Sequence, residues 1–170
     1  MDATLDKAGV DPDSVKYVQL PWPEMGSALR NDRIAAGWVC EPFLTQLKQT
    51  MKGAHDLGPS QIEVAPKLPI SVYVTSEQYL KENPDVVKRF QAAIATSLEY
   101  AQQHPDEARA AIPTFTEISG EVADAMILPT WDTAYDDAAI QALADQSKKY
   151  GILKESVTVD DIRAPFPLGG

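Results

Sequence analysis

The sequence predicts an α/β protein, and three patterns carry that expectation. Helical apolar spacing alternates with short β-rich runs through residues 2–52. A further run, residues 68–75, sets Ile70, Val72 and Val74 against Ser71, Tyr73 and Thr75 with a period of two. A long helical pattern then follows from Pro84 to Gln103. Helices interleaved with short strands are the mark of a parallel sheet covered by helices.

Taken in order, residues 2–8 read as the last turns of a helix, with Leu5 and Ala8 three apart and Gly9 as C-cap. The pattern starts at residue 2 without a cap, as a helix entered part-way. Asp11-Pro12-Asp13 is a turn. Residues 15–20 alternate loosely and read as a strand, ended by Pro21 and Pro23. Glu24 to Asn31 is a short helix with Met25, Ala28 and Leu29 on one face. Residues 34–40 form the next strand, and a helix from Pro42 to about Lys52 carries Phe43, Leu44, Leu47 and Met51. Two strands do not make a stable sheet alone. At least one partner strand is therefore expected before residue 1 or from elsewhere.

Residues 53–67 are polar and loop-like. The strand 68–75 is followed by Ser76 as N-cap of a helix through Lys81. Asn83 caps the long helix, with Pro84 at its first position and Asp85 in the first turn, where the helix dipole favours an acid. Its inward positions are Val86 or Val87, Phe90, Ile94, Leu98 and Ala101. His104-Pro105 breaks it. Short helices follow over 106–112, stopped by Pro113, and over 119–127. Leu128 to Trp131 is extended. Asp136-Asp137 opens a helix to Tyr150, ended by Gly151, and Thr158 or Asp160 opens a last turn before a loose tail, 164–170.

Bulk properties narrow the function. The 170 residues suffice for one domain of ordinary size, with 44% hydrophobic and 24% charged residues, a globular composition. A net charge of −10 argues against nucleic acid and against an anionic membrane surface as partners, because both need clustered Lys and Arg. Cys40 is the one cysteine, so no intrachain disulfide forms, and in an apolar run it reads as a small hydrophobe. It offers no zinc spacing with His55 and His104, which read as a loop and a helix-ending histidine. No metal, cofactor or catalytic residue is expected. No run approaches the ~20 apolar residues that cross a bilayer. Residues 1–7 have neither the basic start nor the apolar stretch of an export signal.

The most informative run is Gly37-Trp38-Val39-Cys40-Glu41-Pro42-Phe43. It reads as a buried strand that delivers a carboxylate at its carboxyl end, where open α/β sheets bind ligands. The alternative is a turn into a helix, with Glu41 as a carboxylate favoured by the helix dipole. Trp22, between two prolines at the end of the preceding strand, either stacks on a planar ligand or packs on the surface. Trp38 faces away from Glu41 on a regular strand and reads as core.

Lys7-Ala8-Gly9-Val10-Asp11-Pro12, Val15-Lys16-Tyr17-Val18, Pro23-Glu24-Met25, the Glu41 run, and residues 76–90 from Ser76-Glu77-Gln78-Tyr79-Leu80 to Arg89-Phe90 occur in a telling order. Together they resemble the second half of a solute-binding protein of an ABC importer, in the nitrate, sulfonate, taurine and thiamine-pyrimidine-precursor branch. The resemblance spans about Leu5 to Leu153. It implies part of a type II periplasmic-binding-protein fold. Residues 1–67 would be most of lobe two, and 68–170 the return strand and C-terminal helices associated with lobe one. The lobe-one core and the first strand of lobe two would lie outside this chain.

The resemblance further implies a small organic ligand, bound without catalysis and handed to a membrane permease. Glu41, with Trp22 and Tyr73, would contact that ligand. The full-length protein would be periplasmic, or extracytoplasmic and membrane-anchored. The same scaffold also carries biosynthetic enzymes of the thiamine-pyrimidine and menaquinone pathways. The former use pyridoxal phosphate and iron with a cysteine-rich motif, whereas this chain has only Cys40. A chain cut from a larger fold would expose apolar faces and strand edges, so self-association is expected.

Overall fold

The computed structural model describes residues 1–134 and 136–163. Every regular element among them is helical. The α-helices are α1 (Asp2–Lys7), α2 (Trp22–Arg30), α3 (Phe43–Thr50), α4 (Glu77–Glu82), α5 (Pro84–Gln103), α6 (Pro105–Phe115), α7 (Gly120–Ala125), α8 (Asp137–Lys149) and α9 (Val159–Ile162), with 3-10 turns at Pro12–Ser14 and Ser60–Glu63.

No strand forms among the described residues. This overturns the expected α/β class, and with it the part of a type II periplasmic-binding-protein fold that the resemblance implied. The runs 15–20, 34–40 and 68–75 carry no ladder. Alternating side chains say which face a strand would bury. They do not supply the second backbone whose donors and acceptors turn an extended segment into a strand. The apolar positions consequently stay open: Val72 and Val74 are 51% and 88% exposed.

The helices follow their local signals more closely. The long helix runs from Pro84 to Gln103, as its cap and spacing predict. Ser76, Ser119 and Asp136 each accept a hydrogen bond from the backbone N–H three residues on, at the starts of α4, α7 and α8. At α9, the Thr158 N–H and hydroxyl both donate to Asp161, which holds that carboxyl below its ordinary range.

Two prolines depart from expectation. Pro23 was expected to end a strand, but it sits in the first turn of α2, where its missing N–H is harmless. Pro113 was expected to stop a helix, yet it lies inside α6. The stop comes at Thr116, whose backbone turns extended and whose hydroxyl bonds the Ile112 carbonyl at 2.7 Å. The expected tail, 164–170, lies outside the described residues.

The chain divides into two compact units. The first contains Met1–Ser14, Gly58–Gln102 and the described part of Trp131–Gly170; Leu68, where composition shifts, falls within it. Here α1 packs on both 3-10 turns, and α8 on α9. The Thr4 hydroxyl donates to the Ser60 carbonyl at 3.3 Å. The Gln141 amide donates to the Val157 carbonyl and accepts from the Val159 N–H. α5 buries Val87, with Ile94, Leu98 and Ala101 half-covered on the same face.

The second unit contains Val15–Leu57 and Gln103–Thr130. α2 packs on α3, α3 on α7 and α6 on α7. Its buried side chains are Met25, Ala28, Thr45, Val122, Ala123 and Met126. Gly26 lets α2 and α3 close together: a Cβ there would stand 3.3 Å from Leu47 Cδ2. Residues 34–40 lie over α2, with the Gly37 Cβ position 3.4 Å from Met25 Sδ.

No large side chain is fully buried among the described residues, so directional bonds must carry much of the specificity. The clearest is Arg109, half-buried on α6, whose guanidinium donates to the Ala123 and Met126 carbonyls at 2.5 and 2.9 Å. It thereby satisfies carbonyls at the end of α7 that the helix leaves unpaired. Arg109→Met is expected to lower stability by about 2 kcal/mol, the scale of hydrogen bonds to a charged group. Both bonds leave one nitrogen, Nη1, and the Lys ammonium ends short of that position, so Arg109→Lys should recover only part of the loss. Urea unfolding of the three proteins measures this, and an unchanged midpoint for Arg109→Met would contradict it.

Candidate functional site

Glu41 stands just before α3, after an extended run that lies over α2. Pro42 is the N-cap rather than the first helical residue. One carboxylate oxygen of Glu41 accepts from the Thr45 N–H at 3.1 Å, at the start of α3. The other accepts from the Ile127 N–H at 3.3 Å, 86 positions along the chain. The same side chain therefore caps one helix and clamps the segment after α7. Arg109 holds that segment's carbonyls while Glu41 holds an N–H at its next residue. An ionised carboxylate offers about four acceptor positions, so these bonds fix its orientation while leaving two positions for a ligand donor. Glu41 is itself only half-buried, which gives such a donor access.

Trp22 opens α2 instead of lying in a loop beyond a strand. Its ring packs on Trp38 at 6.1 Å and on Phe43 at 6.0 Å between centroids, both pairs tilted. Trp38, expected in the core, is 41% exposed, the same as Trp22. The second unit thus brings Trp22, Trp38 and Phe43 together, with Phe43 two residues from Glu41. Aromatic pairs of this geometry are held by burial and by quadrupole attraction, and still show apolar faces to solvent.

Tyr73 belongs to the first unit, on the unpaired run 68–75. It is 69% exposed and meets Phe90 of α5 edge-on, with centroids 5.1 Å apart. Cys40 adjoins Glu41, and burial pushes its thiol up, away from the thiolate that nucleophilic chemistry needs. No group of three or more His, Cys, Asp or Glu among the described residues is placed to hold a metal ion.

Sequence reasoning missed Arg109 and the Ile127 amide. An arginine in a helical repeat looks like a solvated charge, and a backbone N–H carries no residue signature at all. The Glu41 clamp has a measurable consequence. Glu41→Ala removes a cap and a long-range bond together, so a loss of about 1–2 kcal/mol is expected in urea unfolding. Wild-type stability in that variant would show that the two bonds contribute nothing net.

Residues 1–108 match the family model described as NMT1/THI5 like, a span that includes Trp22, Glu41 and Tyr73. Curated relatives include proteins of Brucella abortus (strain 2308) and Brucella suis biovar 1 (strain 1330), each provisionally named a binding protein. Each is 24% identical to this chain over 103 residues, covering 61% of this chain and 32% of the relative. The chain spans about a third of the length of the curated relatives it matches. No solved structure matches it. With well over half its length matched, from Met1 through the start of α6, the chain belongs to the NMT1/THI5-like family.

Proposed function

We propose that the chain serves as a solute-binding component, capturing a small organic molecule without catalysis and delivering it to the permease of an ABC importer outside the cytoplasm. The observation that carries this reading is the family match over residues 1–108, which contains all three candidate contact residues. The provisional name of the Brucella relatives points the same way.

The chemistry of the second unit fits such a role. Glu41 supplies an oriented carboxylate with acceptor capacity to spare, and the Trp22, Trp38 and Phe43 rings supply an apolar wall in the same short stretch. That pairing suits a solute with an N–H or ammonium donor on a compact body, as taurine and the pyrimidine precursors have; nitrate and simple alkylsulfonates, anions without such a donor, would have to be held by other groups.

Tryptophan emission tests the reading directly, because Trp22 is itself a proposed contact and packs on Trp38. Titration with taurine, an alkylsulfonate, nitrate and an aminopyrimidine is expected to give a saturable change with at least one of them. If that ligand is taurine or the aminopyrimidine, which carry a donor, Glu41→Gln should weaken it roughly 10- to 100-fold, the cost of a charge-assisted bond. If nothing in the panel saturates, the capture reading fails. If binding saturates but Glu41→Gln leaves it unchanged, capture stands and Glu41 is only a scaffold residue.

We further propose that the chain as given self-associates, on the support of the exposed apolar positions Ile70, Val72 and Val74. Native mass spectrometry is expected to give a dimer or larger species, and a monomer across the accessible concentration range would contradict it.

A further inference from the structure

Asp6 lies on the rim of a shallow pocket of about 280 Å³ in the first unit, whose walls include Lys7, Val64, Gln146, Lys149 and Tyr150. One Asp6 oxygen accepts from Lys149 Nζ at 2.5 Å and from the Tyr150 hydroxyl at 2.9 Å. The two donors are consecutive residues at the end of α8, and the Lys149 ammonium stands 5.0 Å from the Tyr150 ring centre. Asp6 arrives from α1, 143 positions before Lys149. An ammonium and a phenol hydroxyl thus converge on a single carboxylate oxygen. The Lys149 bond, and after it the Tyr150 bond, hold the Asp6 carboxyl below its ordinary range, so the pair favours the ionised form of whatever carboxyl it meets.

We infer that Lys149 and Tyr150 form a site for the carboxylate of a small solute, with Asp6 as the chain's own occupant. The Asp6–Lys149 pair is open to water, with side chains 46% and 56% exposed. Ion pairs so placed are weak and screened by salt, so an external carboxylate displaces Asp6 at little cost. Gln146, one turn before Tyr150 on the same helix face, lines the same pocket and offers a second contact to anything longer than acetate. The volume sits at or below the small end of ligand pockets, which limits the solute to a handful of heavy atoms. The site uses none of Glu41, Trp22 or Tyr73 and does not depend on the importer reading.

The test is acetate titration of the full chain with lysine side chains ¹³C-labelled, chloride being exchanged for acetate at constant ionic strength. In Asp6→Ala the Lys149 Cε signal is expected to shift saturably, with a midpoint on the order of 100 mM, the scale an exposed ion pair allows. In the unaltered chain the midpoint should rise by at most about fivefold, the most an exposed internal competitor imposes. Asp6→Asn, which keeps the local shape, should behave like Asp6→Ala. Adding Tyr150→Phe to Asp6→Ala should weaken acetate binding severalfold. The inference is overturned if Lys149 shifts linearly and in step with the neighbouring Lys148, which would mean screening alone. It is equally overturned if Asp6→Ala and Asp6→Asn give no shift, which would leave Asp6 as a structural tie.

Discussion

Each unit is tied across long stretches of sequence by side chains that bond the backbone of a distant segment. Extended backbone needs a partner for every other donor and acceptor, and among the described residues no strand provides one. Side-chain bonds instead tie the backbone at Ser60, Ala123, Met126, Ile127, Trp131, Val157 and Val159. In the second unit Arg109 holds the Ala123 and Met126 carbonyls while Glu41 holds the Ile127 N–H. In the first, Thr4 reaches the Ser60 carbonyl, Gln102 accepts from the Trp131 N–H, and Gln141 bridges both sides of the 157–159 segment. These bonds define where loops lie, and the helices then bury small side chains such as Ala28, Ala123 and Ala139 between them.

Glu41 joins this architecture to the proposed function. Its two backbone contacts orient the carboxylate, and orientation is what a binding group needs so that its partner does not bear the cost of ordering it. The helix-terminus role and the ligand role, which the sequence leaves as alternatives, are chemically compatible. Backbone donors occupy about half of the acceptor positions, and Glu41 itself is only half-buried.

Local signals in the sequence were read well where they act locally. Ser76, Ser119, Asp136 and the Thr158–Asp161 pair cap helices as their residue types demand, and the 20-residue α5 keeps the bounds its spacing implies. Residues 15–20, 34–40 and 68–75 satisfy the side-chain half of the strand criterion and not the pairing half, so the pattern alone does not make them strands. Pro113 shows the same limit on a smaller scale: a helix end depends on what the neighbouring backbone does at Thr116, as well as on the breaker itself. Of the candidate contacts, the residue types of Glu41 and Trp22 were visible in sequence. The company each keeps was not, since the Ile127 amide has no residue type to read and Trp38 was assigned to the face of a strand that does not form.

Amide hydrogen exchange, resolved residue by residue, tests this account most directly. If side-chain ties rather than strand ladders organise the units, amides in 15–20, 34–40 and 68–75 should exchange close to the rates of free peptide, while those in the middle of α5 exchange far more slowly. Strong protection at alternate residues of 68–75 would reveal a strand partner and contradict the account.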